Sequence, residues 1–549
     1  MNLETHLKEA PTKVNSEFDY PYPQYFEVNG IVYKADADGF HIGNYTLPMY
    51  RVDEWNGVIQ NPNDFSADTW AFTGDCTVDG TSVKCVGSCT ITPTTMIEPI
   101  VSGTLYRFGV VVDVVRGSCT FKLNAFEHGI EVVSDGYFRC GYIRATDPEM
   151  PRIVTSDDFI GTFTYFDCAY VEPYTFEYDG IWTIAPLGNN WVGTNGHYLV
   201  YCVSHAICYV NPSIHVRGLC NQRGRIIMGG FDSFHITIGG STVGMCGLNS
   251  VFWTGVGGAG FREIFIDRAT NAPVHEFEEL YRRGDMGWET VPSIGTILNV
   301  QVLGDGFCAY GTNGVSYFKR VSSPLPTYGR MDVLSGKGIP SRHAAVGMES
   351  GNYFIDNDGN LWTQSADNKI QRIGYDYLFS EESLSEVVLH LDTVKQDLYI
   401  SFPTSGYIFA NGALSEIQRT FVSLYHHNGV LYGSFDDFED DTVQLTSSVM
   451  DFGSRGFKSV FGVEIVCDNP LAYTLYVYTR NSQSGDMIVH EYSFNERGTT
   501  MFNLVAIEFQ FEIVGTVNEN NYIDDVNVIW KLDDVSGARG VMEYGTVAR

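Results

Sequence analysis

Glycoside hydrolysis needs two carboxyl groups facing each other across a cleft, and this chain of 549 residues carries 66 Asp and Glu. At that density, pairs such as those in FDDFEDD (Phe435–Asp441) and YIDDV (Tyr522–Val526) arise by chance and single out no acid–base couple. The first lacks the Asp-x-Asp-x-Asp-Gly spacing of a calcium loop, so a solvated acidic loop is expected. Cys85-Val-Gly-Ser-Cys89 has the closest spacing to a zinc-ligand pair, with no second pair to complete a four-cysteine site. His205, His426 and His427 fall in strand-like segments without a partner cluster. GGSTVGMCG (Gly239–Gly247) and TGVGGAGF (Thr254–Phe261) are glycine-rich but stand between strands, with no following helix to cradle a phosphate. Tyr281-Arg-Arg-Gly-Asp285 holds an Arg-Gly-Asp triplet of a kind common by chance. There is no Gly-x-Ser-x-Gly elbow, Walker loop or His-Glu-x-x-His. These readings assign no catalytic residue, no cofactor-binding residue and no metal ligand, and they expect a protein that is not an enzyme and holds no cofactor.

One stretch needs closer weighing. FIDNDGNLW (Phe354–Trp362) looks like a strand, a tight turn and a second strand. Sialidase-like propellers carry repeated Ser-x-Asp-x-Gly-x-Thr-Trp boxes. Aligned on Gly359 and Trp362, this stretch has Ile355 at the serine place, Asn357 at the aspartate place and Leu361 at the threonine place. The glycine and the tryptophan survive, which points to a packing tryptophan at a hairpin.

The elements that would hold such a residue recur. VNGIVYK (Val28–Lys34), YDGIWTI (Tyr178–Ile184), TNGVSYF (Thr312–Phe318), NDGNLWT (Asn357–Thr363) and HNGVLYG (His427–Gly433) each place Gly after Asn or Asp and an aromatic shortly beyond. Such dipeptides supply the positive φ of type I′ turns. Five alike hairpins predict a radially repeated sheet, a β-propeller, with positive φ expected at Gly314, Gly359 and Gly429. Composition agrees: 33 Tyr, 35 Phe and 57 Gly favour pleated surfaces and turns.

From about Trp55 to Pro173 the pattern changes to short alternating strands with Gly, Asp and Ser turns, and six of the twelve cysteines fall there. That predicts a β-sandwich inserted into the first blade. Without a secretion signal the cysteines read as buried free thiols. The last hundred residues, with LYVYTR and FQFEIVG, alternate again and predict a second sandwich. The resulting fold class is mainly β: residues 1–57 as an N-terminal segment with first propeller strands, 58–173 as the inserted β-sandwich, 174–445 as the β-propeller, and 446–549 as a C-terminal β-sandwich and tail. Helix is expected over Asn271–Asp285, with Val274, Phe277, Leu280 and Tyr281 on one face. A short turn is expected in Ser380–Leu391, where Ser383 and Glu386 have capping-box spacing, and VVLHLDTVKQDLYISF then reads as strand.

Lys and Arg number 34, giving a formal charge of −32. Such a surface repels a phosphate backbone, so tight nucleic-acid binding is not expected. The N-terminus has no basic segment followed by an apolar one, so no signal peptide is expected. No apolar run reaches the ~20 residues of a membrane span.

The insert, with its TLYRFGVVVD, GSCTFKL and FIGTFTYFDCAYVEP strands, resembles the jelly-roll modules of phage tail and carbohydrate-binding proteins. The run DFGSRGFKSVFGVEI and the terminal IDDVNVIWKLDD with GARG resemble the end of the tail-nozzle or hub proteins of short-tailed bacteriophages, built as a propeller plus a C-terminal sandwich. That resemblance implies a structural virion protein of the tail, assembled in the host cytoplasm. It would form a homo-oligomeric ring, expected as a hexamer, as a conduit for DNA ejection. Its partners would be a portal-proximal adaptor and tail fibres or spikes. The rival expectation is a carbohydrate-binding or depolymerising tail protein that recognises host surface glycans. A non-viral propeller scaffold is a third.

Overall fold

The computed structural model describes every residue except 1–6, 10–23, 53–55, 61, 67, 124–129, 133–136, 147, 178–179, 239–240, 268–279, 322–327, 411, 418–419, 428–429, 436–441, 448, 451–455, 468, 482–484, 517–522, 533–542 and 547–549. The chain is mainly β and divides into two compact units, 18–391, and 392–549 together with 1–17.

In the first unit, antiparallel meanders follow one another through Gln24–Thr46, Thr183–Asn211, Val216–Thr290, Ile297–Ser335 and Ala345–Gly374. From the second onwards, the first strand of each meander lies against the first strand of the next, the arrangement of propeller blades. Strands such as Arg225–Phe231 and Gly306–Gly311 are buried throughout because neighbouring sheets cover both of their faces.

Burying both faces strands polar groups unless they are paired, and here they join one blade to the next. The Gln24 side chain accepts from Trp182 N (2.5 Å) and donates to Trp182 O (2.7 Å). Thr194 Oγ1 donates to Val216 O at 2.7 Å and Tyr328 Oη to Gln222 Oε1 at 2.8 Å. Asn299 Nδ2 donates to Arg342 O and Ala345 O, and Tyr310 Oη to Gln364 Oε1 at 3.0 Å.

The insert leaves between the first two meanders. Met49–Arg51 runs parallel to Ile207–Asn211, Tyr50 bridges Pro173, and Arg51 N donates to Glu172 O at 2.9 Å. The outgoing and returning backbones therefore run side by side. The long strand Ser82–Pro93 pairs along one side with Trp70–Asp79. On its other side it pairs first with Ile160–Tyr170 and then with Arg152–Thr155. That change of partner links nine strands into one sheet. The sheet folds over its own core, because Phe166 meets Trp70 (5.7 Å) and Phe121 (5.5 Å), which lie on strands not adjacent to its own.

In the second unit, Leu7–Glu9 pairs in parallel with Val430–Phe435, which is hydrogen-bonded to Phe421–His427. Beyond them, two four-stranded sheets enclose Val460, Val463, Leu475, Val477, Phe509 and Ile513. One sheet starts with Thr442–Thr446, paired to Glu508–Thr516, so the C-terminal sandwich takes in residues from 442, ahead of the expected 446.

Several local expectations change. Asn29 (φ 53) and Gly30 (φ 80) form the expected turn, and Gly359 has φ 82. Gly314, in contrast, is not among the positive-φ glycines; it is the first residue of the Gly314–Arg320 strand, and a Cβ there would lie 2.5 Å from Leu334 O. What this site requires is room rather than φ. Gly180 precedes the Thr183–Leu187 strand and is not in a hairpin turn, while Tyr178, Asp179 and the Asn428-Gly429 turn lie outside the described residues. Of the Asn271–Asp285 helix, 280–283 are helical and 268–279 are not described. Thr254–Phe261 is followed by a helical segment, Arg262–Asp267, where none was expected. VVLHLDTVKQDLYISF is two strands, Val388–Leu391 and Leu398–Ser401, and Asp392 N→Asp397 O (2.9 Å) closes a turn in the second unit. His205 lies in a turn with φ 57, not in a strand.

Candidate functional site

The box at Phe354–Trp362 is organised around Asp356, which is fully buried. Its Oδ1 accepts from Asp358 N, Asn360 N and Asn360 Nδ2, and its Oδ2 from Asn360 Nδ2 and Trp362 Nε1 (2.8 Å). The carboxylate thus holds the turn, and Trp362 stacks on Phe354 across the ladder at 6.0 Å. This is a folding device with no acceptor capacity left for a proton-transfer role.

The other residues singled out in sequence are also engaged. Asp285 of the Arg-Gly-Asp triplet receives buried Arg225 through its backbone oxygen and, at 3.6 Å, its carboxylate. His205 Nδ1 meets Tyr33 Oη. His426 Nε2 lies 2.9 Å from buried Asp392, whose Oδ1 also accepts from Val394 N and Lys395 N. That partner was not visible in sequence, since 34 residues separate the pair. Asp436–Asp441 and Tyr522 lie outside the described residues, as do the side chains of Asp524 and Asp525.

Two groupings appear that sequence reading missed. The first is basic: Arg217 and His215 meet Asp232, with His197 and Arg342 beside them. Arg342 donates from Nε to Arg217 O (2.6 Å) and from Nη2 to Thr194 O (3.2 Å). Asp232 accepts from Arg217 (3.1 Å) and lies 3.0 Å from His215 Nδ1. Burial, with Arg217 adding, brings the Arg342 pKa down to about 10, and burial with His215 and Arg342 lowers that of His197.

The second is a three-thiol cluster in the insert. Cys76, on Trp70–Asp79, is the register partner of Cys85, on Ser82–Pro93, and their sulfurs are 3.3 Å apart. Cys89 completes the group, with all three sulfurs within 4.8 Å of one another. Four residues of regular strand would separate Cys85 from Cys89 by about 13 Å. A bulge removes that separation: the register jumps from Thr73↔Thr90 to Asp75↔Val86, so Gly74 faces the segment 87–89. Gly74 (φ 91) and Gly87 (φ 75) supply the backbone for it, and a Cβ at Gly74 would collide with Ser88 O and Cys89 Sγ. Buried Thr155 pins the bulge, accepting from Cys89 N (2.7 Å) and donating to Gly87 O (2.7 Å). Gly87 N donates to Phe159 O at 2.7 Å. Cys85 and Cys89 are buried and Cys76 is half-buried. Burial pushes the Cys76 thiol up to about 11 and that of Cys85 well above its ordinary value. The eleven cysteines with described side chains are all free thiols.

The C-terminal sandwich carries a third feature. Ile488–Ser493 and Thr499–Ala506 are, among the described residues, end strands of their two sheets. Tyr492 and Phe502, one from each, stack at 4.3 Å. On the same two strands, Ile488, Val489, Met501 and Val505 are exposed, Met501 at 67%.

No family model and no curated protein matches the chain. Among solved structures it is similar to PorZ of Porphyromonas gingivalis, a bacterial surface component of the type-IX secretion system (7% identity, 96% of this chain and 86% of that one, TM-score 0.24). It is also similar to the extracellular domain of the one-component system BT4673 of B. thetaiotaomicron (8% identity, 97% and 93%, TM-score 0.26). A third is the exo-β-1,3-galactanase of Phanerochaete chrysosporium (8% identity, 65% and 97%, TM-score 0.21). Likenesses at such identities and scores set no function for this chain.

Proposed function

We propose that the chain is a structural component of a short-tailed bacteriophage tail, of the nozzle or hub kind, that assembles with copies of itself into a ring. The observation that carries the reading is the pair of end strands in the C-terminal sandwich with exposed Ile488, Val489, Met501 and Val505. An unpaired strand edge bearing apolar side chains is what a monomer avoids and an assembling subunit uses. Blades followed by a C-terminal sandwich are compatible with the build that the resemblance of the terminal motifs implies for such tail proteins. A formal charge of −32 suits a conduit that DNA passes without being held. The adaptor, fibre and spike partners belong to the same reading.

Electron microscopy and light scattering of the purified chain, alone and with virion fractions, test this. Rings that join a portal-adaptor protein support it. A monomer that binds host glycans through the insert would overturn it in favour of a carbohydrate-recognising tail protein.

A further inference from the structure

We propose that Cys76, Cys85 and Cys89 form a binding site for a soft divalent cation of the zinc class, held by three thiolates with a water in the fourth position. The Cys76 and Cys85 sulfurs are 3.3 Å apart and all three sulfurs lie within 4.8 Å of one another, a grouping compatible with the about 3.8 Å that a tetrahedral ion with ~2.3 Å metal–sulfur bonds sets between its sulfurs. Thiolate sulfur selects such ions over hard cations. Among the described residues no fourth His, Cys, Asp or Glu joins the group, and Cys76 is half-buried, so the remaining position is left to solvent.

Packing gives no reason for the arrangement. Cys119 and Cys168 fill the core of this same domain without joining the group, and the buried Cys202–Cys208 pair elsewhere stops at two thiols. Convergence here costs two residues in left-handed conformations and a broken ladder, and Thr155 ties the bulge to a third strand. Binding releases three protons, one from each thiol, and leaves a complex of net charge −1 with a divalent ion. The metal would cross-link the Trp70–Asp79 strand to the bulged Ser82–Pro93 strand and stiffen the insert.

The test uses the full chain, reduced and stripped of metal under nitrogen, then titrated with Zn(II) against a chromophoric chelator and with Co(II) for its spectrum. One equivalent of Zn(II) is expected, and the Co(II) form should show intense tetrahedral bands with thiolate charge transfer. Cys89→Ser should weaken Zn(II) at least 100-fold, while Cys467→Ser, in the other unit, leaves it unchanged. Thr155→Val keeps all three thiols but loosens the bulge, and should weaken binding about 10-fold. Where Cys89→Ser fails to fold, Thr155→Val decides. Absence of stoichiometric uptake by the reduced chain, or full affinity in folded Cys89→Ser, overturns the proposal. So does a Cys76–Cys85 disulfide in protein isolated without oxidant.

Discussion

Trp362 Nε1 donates to Asp356 Oδ2 at 2.8 Å, so the tryptophan of the Phe354–Trp362 hairpin is held by the carboxylate that organises its turn. Asp356 accepts from two backbone N–H groups, the Asn360 amide and this indole, all without solvent exposure of its own. Asp356→Ala should therefore destabilise the first unit by about 3 kcal/mol, since buried donors to a charged acceptor lose their partner together. Asp356→Asn, which keeps one acceptor oxygen, should cost less. Urea unfolding followed by tryptophan fluorescence measures both, and equal stability of all three proteins would refute the assignment.

Glycines in the blades split into two kinds with different signatures. Gly336 has φ 75 and open space where a Cβ would go, so Gly336→Ala should cost on the order of 1 kcal/mol through strain alone. Gly314 has an ordinary φ but no room beside Leu334 O, and Gly359 has both a φ of 82 and Ser380 N at 2.9 Å from a Cβ. Alanine at Gly359 should exceed the Gly336 cost, at about 1–3 kcal/mol, and valine at Gly314 should be worse than alanine. Thermal melts of the set rank them, and a flat ranking would sink the distinction.

The same residues show what was legible in sequence. Asn29-Gly30 announced a type I′ turn, with positive φ at both residues, and Gly359 supplies the single positive φ of its own turn. Gly314 has the same local sequence but sits one position later, inside a strand, where the demand comes from Leu334, twenty residues away. The mainly β class and the sandwich at the C-terminus were readable from alternation, as in YTLYVYTR, whose burial alternates throughout. The thiol cluster was hidden because two events set it: the pairing of Cys76 with Cys85 and a bulge that spacing alone does not reveal. The Asp392–His426 and Arg217–Arg342 contacts depend on strand order, which local pattern leaves open.

Acid should weaken the first unit well before its carboxylates titrate. The loss of hydrating water, with the Arg342 charge second, lowers the His343 pKa from 6.5 to about 3, so the fold holds this imidazole neutral. The unfolded chain binds that proton below pH 6.5, so stability present above this value is lost as pH falls from about 6.5 towards 3. Asp36, held to about 2 by hydrogen bonds from His41 and Lys34 that outweigh its burial, adds a further loss between 3.8 and 2. Denaturant midpoints across that range should decline for the natural chain and decline less between pH 6.5 and 4 for His343→Gln. Parallel curves would show that His343 does not contribute.

Reducing-sugar assays on capsule and lipopolysaccharide should give no release. The Asp356 carboxylate of the hairpin box is buried and bound to its own turn, which leaves it without a free face for acid–base work. Release abolished by a single carboxylate substitution would contradict the structural reading.

The assembly reading makes the most demanding prediction, because charge and apolar surface oppose each other. At −32 per chain, neighbouring subunits repel, and that repulsion is screened within ~8–10 Å at physiological salt. Contacts through Ile488, Val489, Met501 and Val505 are apolar and gain from salt rather than losing by it. Both effects act in the same direction, so association should strengthen as salt rises, opposite to an interface built on ion pairs. Met501→Asp should weaken association about tenfold or more at every salt concentration while leaving the melting temperature of the monomer unchanged, since the side chain is 67% exposed. The chain should shift no DNA in a gel even at low salt. Light scattering across a salt series reads the first two effects and a parallel gel shift the third. Association that weakens with salt, or a DNA complex that dissolves as salt is added, would defeat the conduit reading.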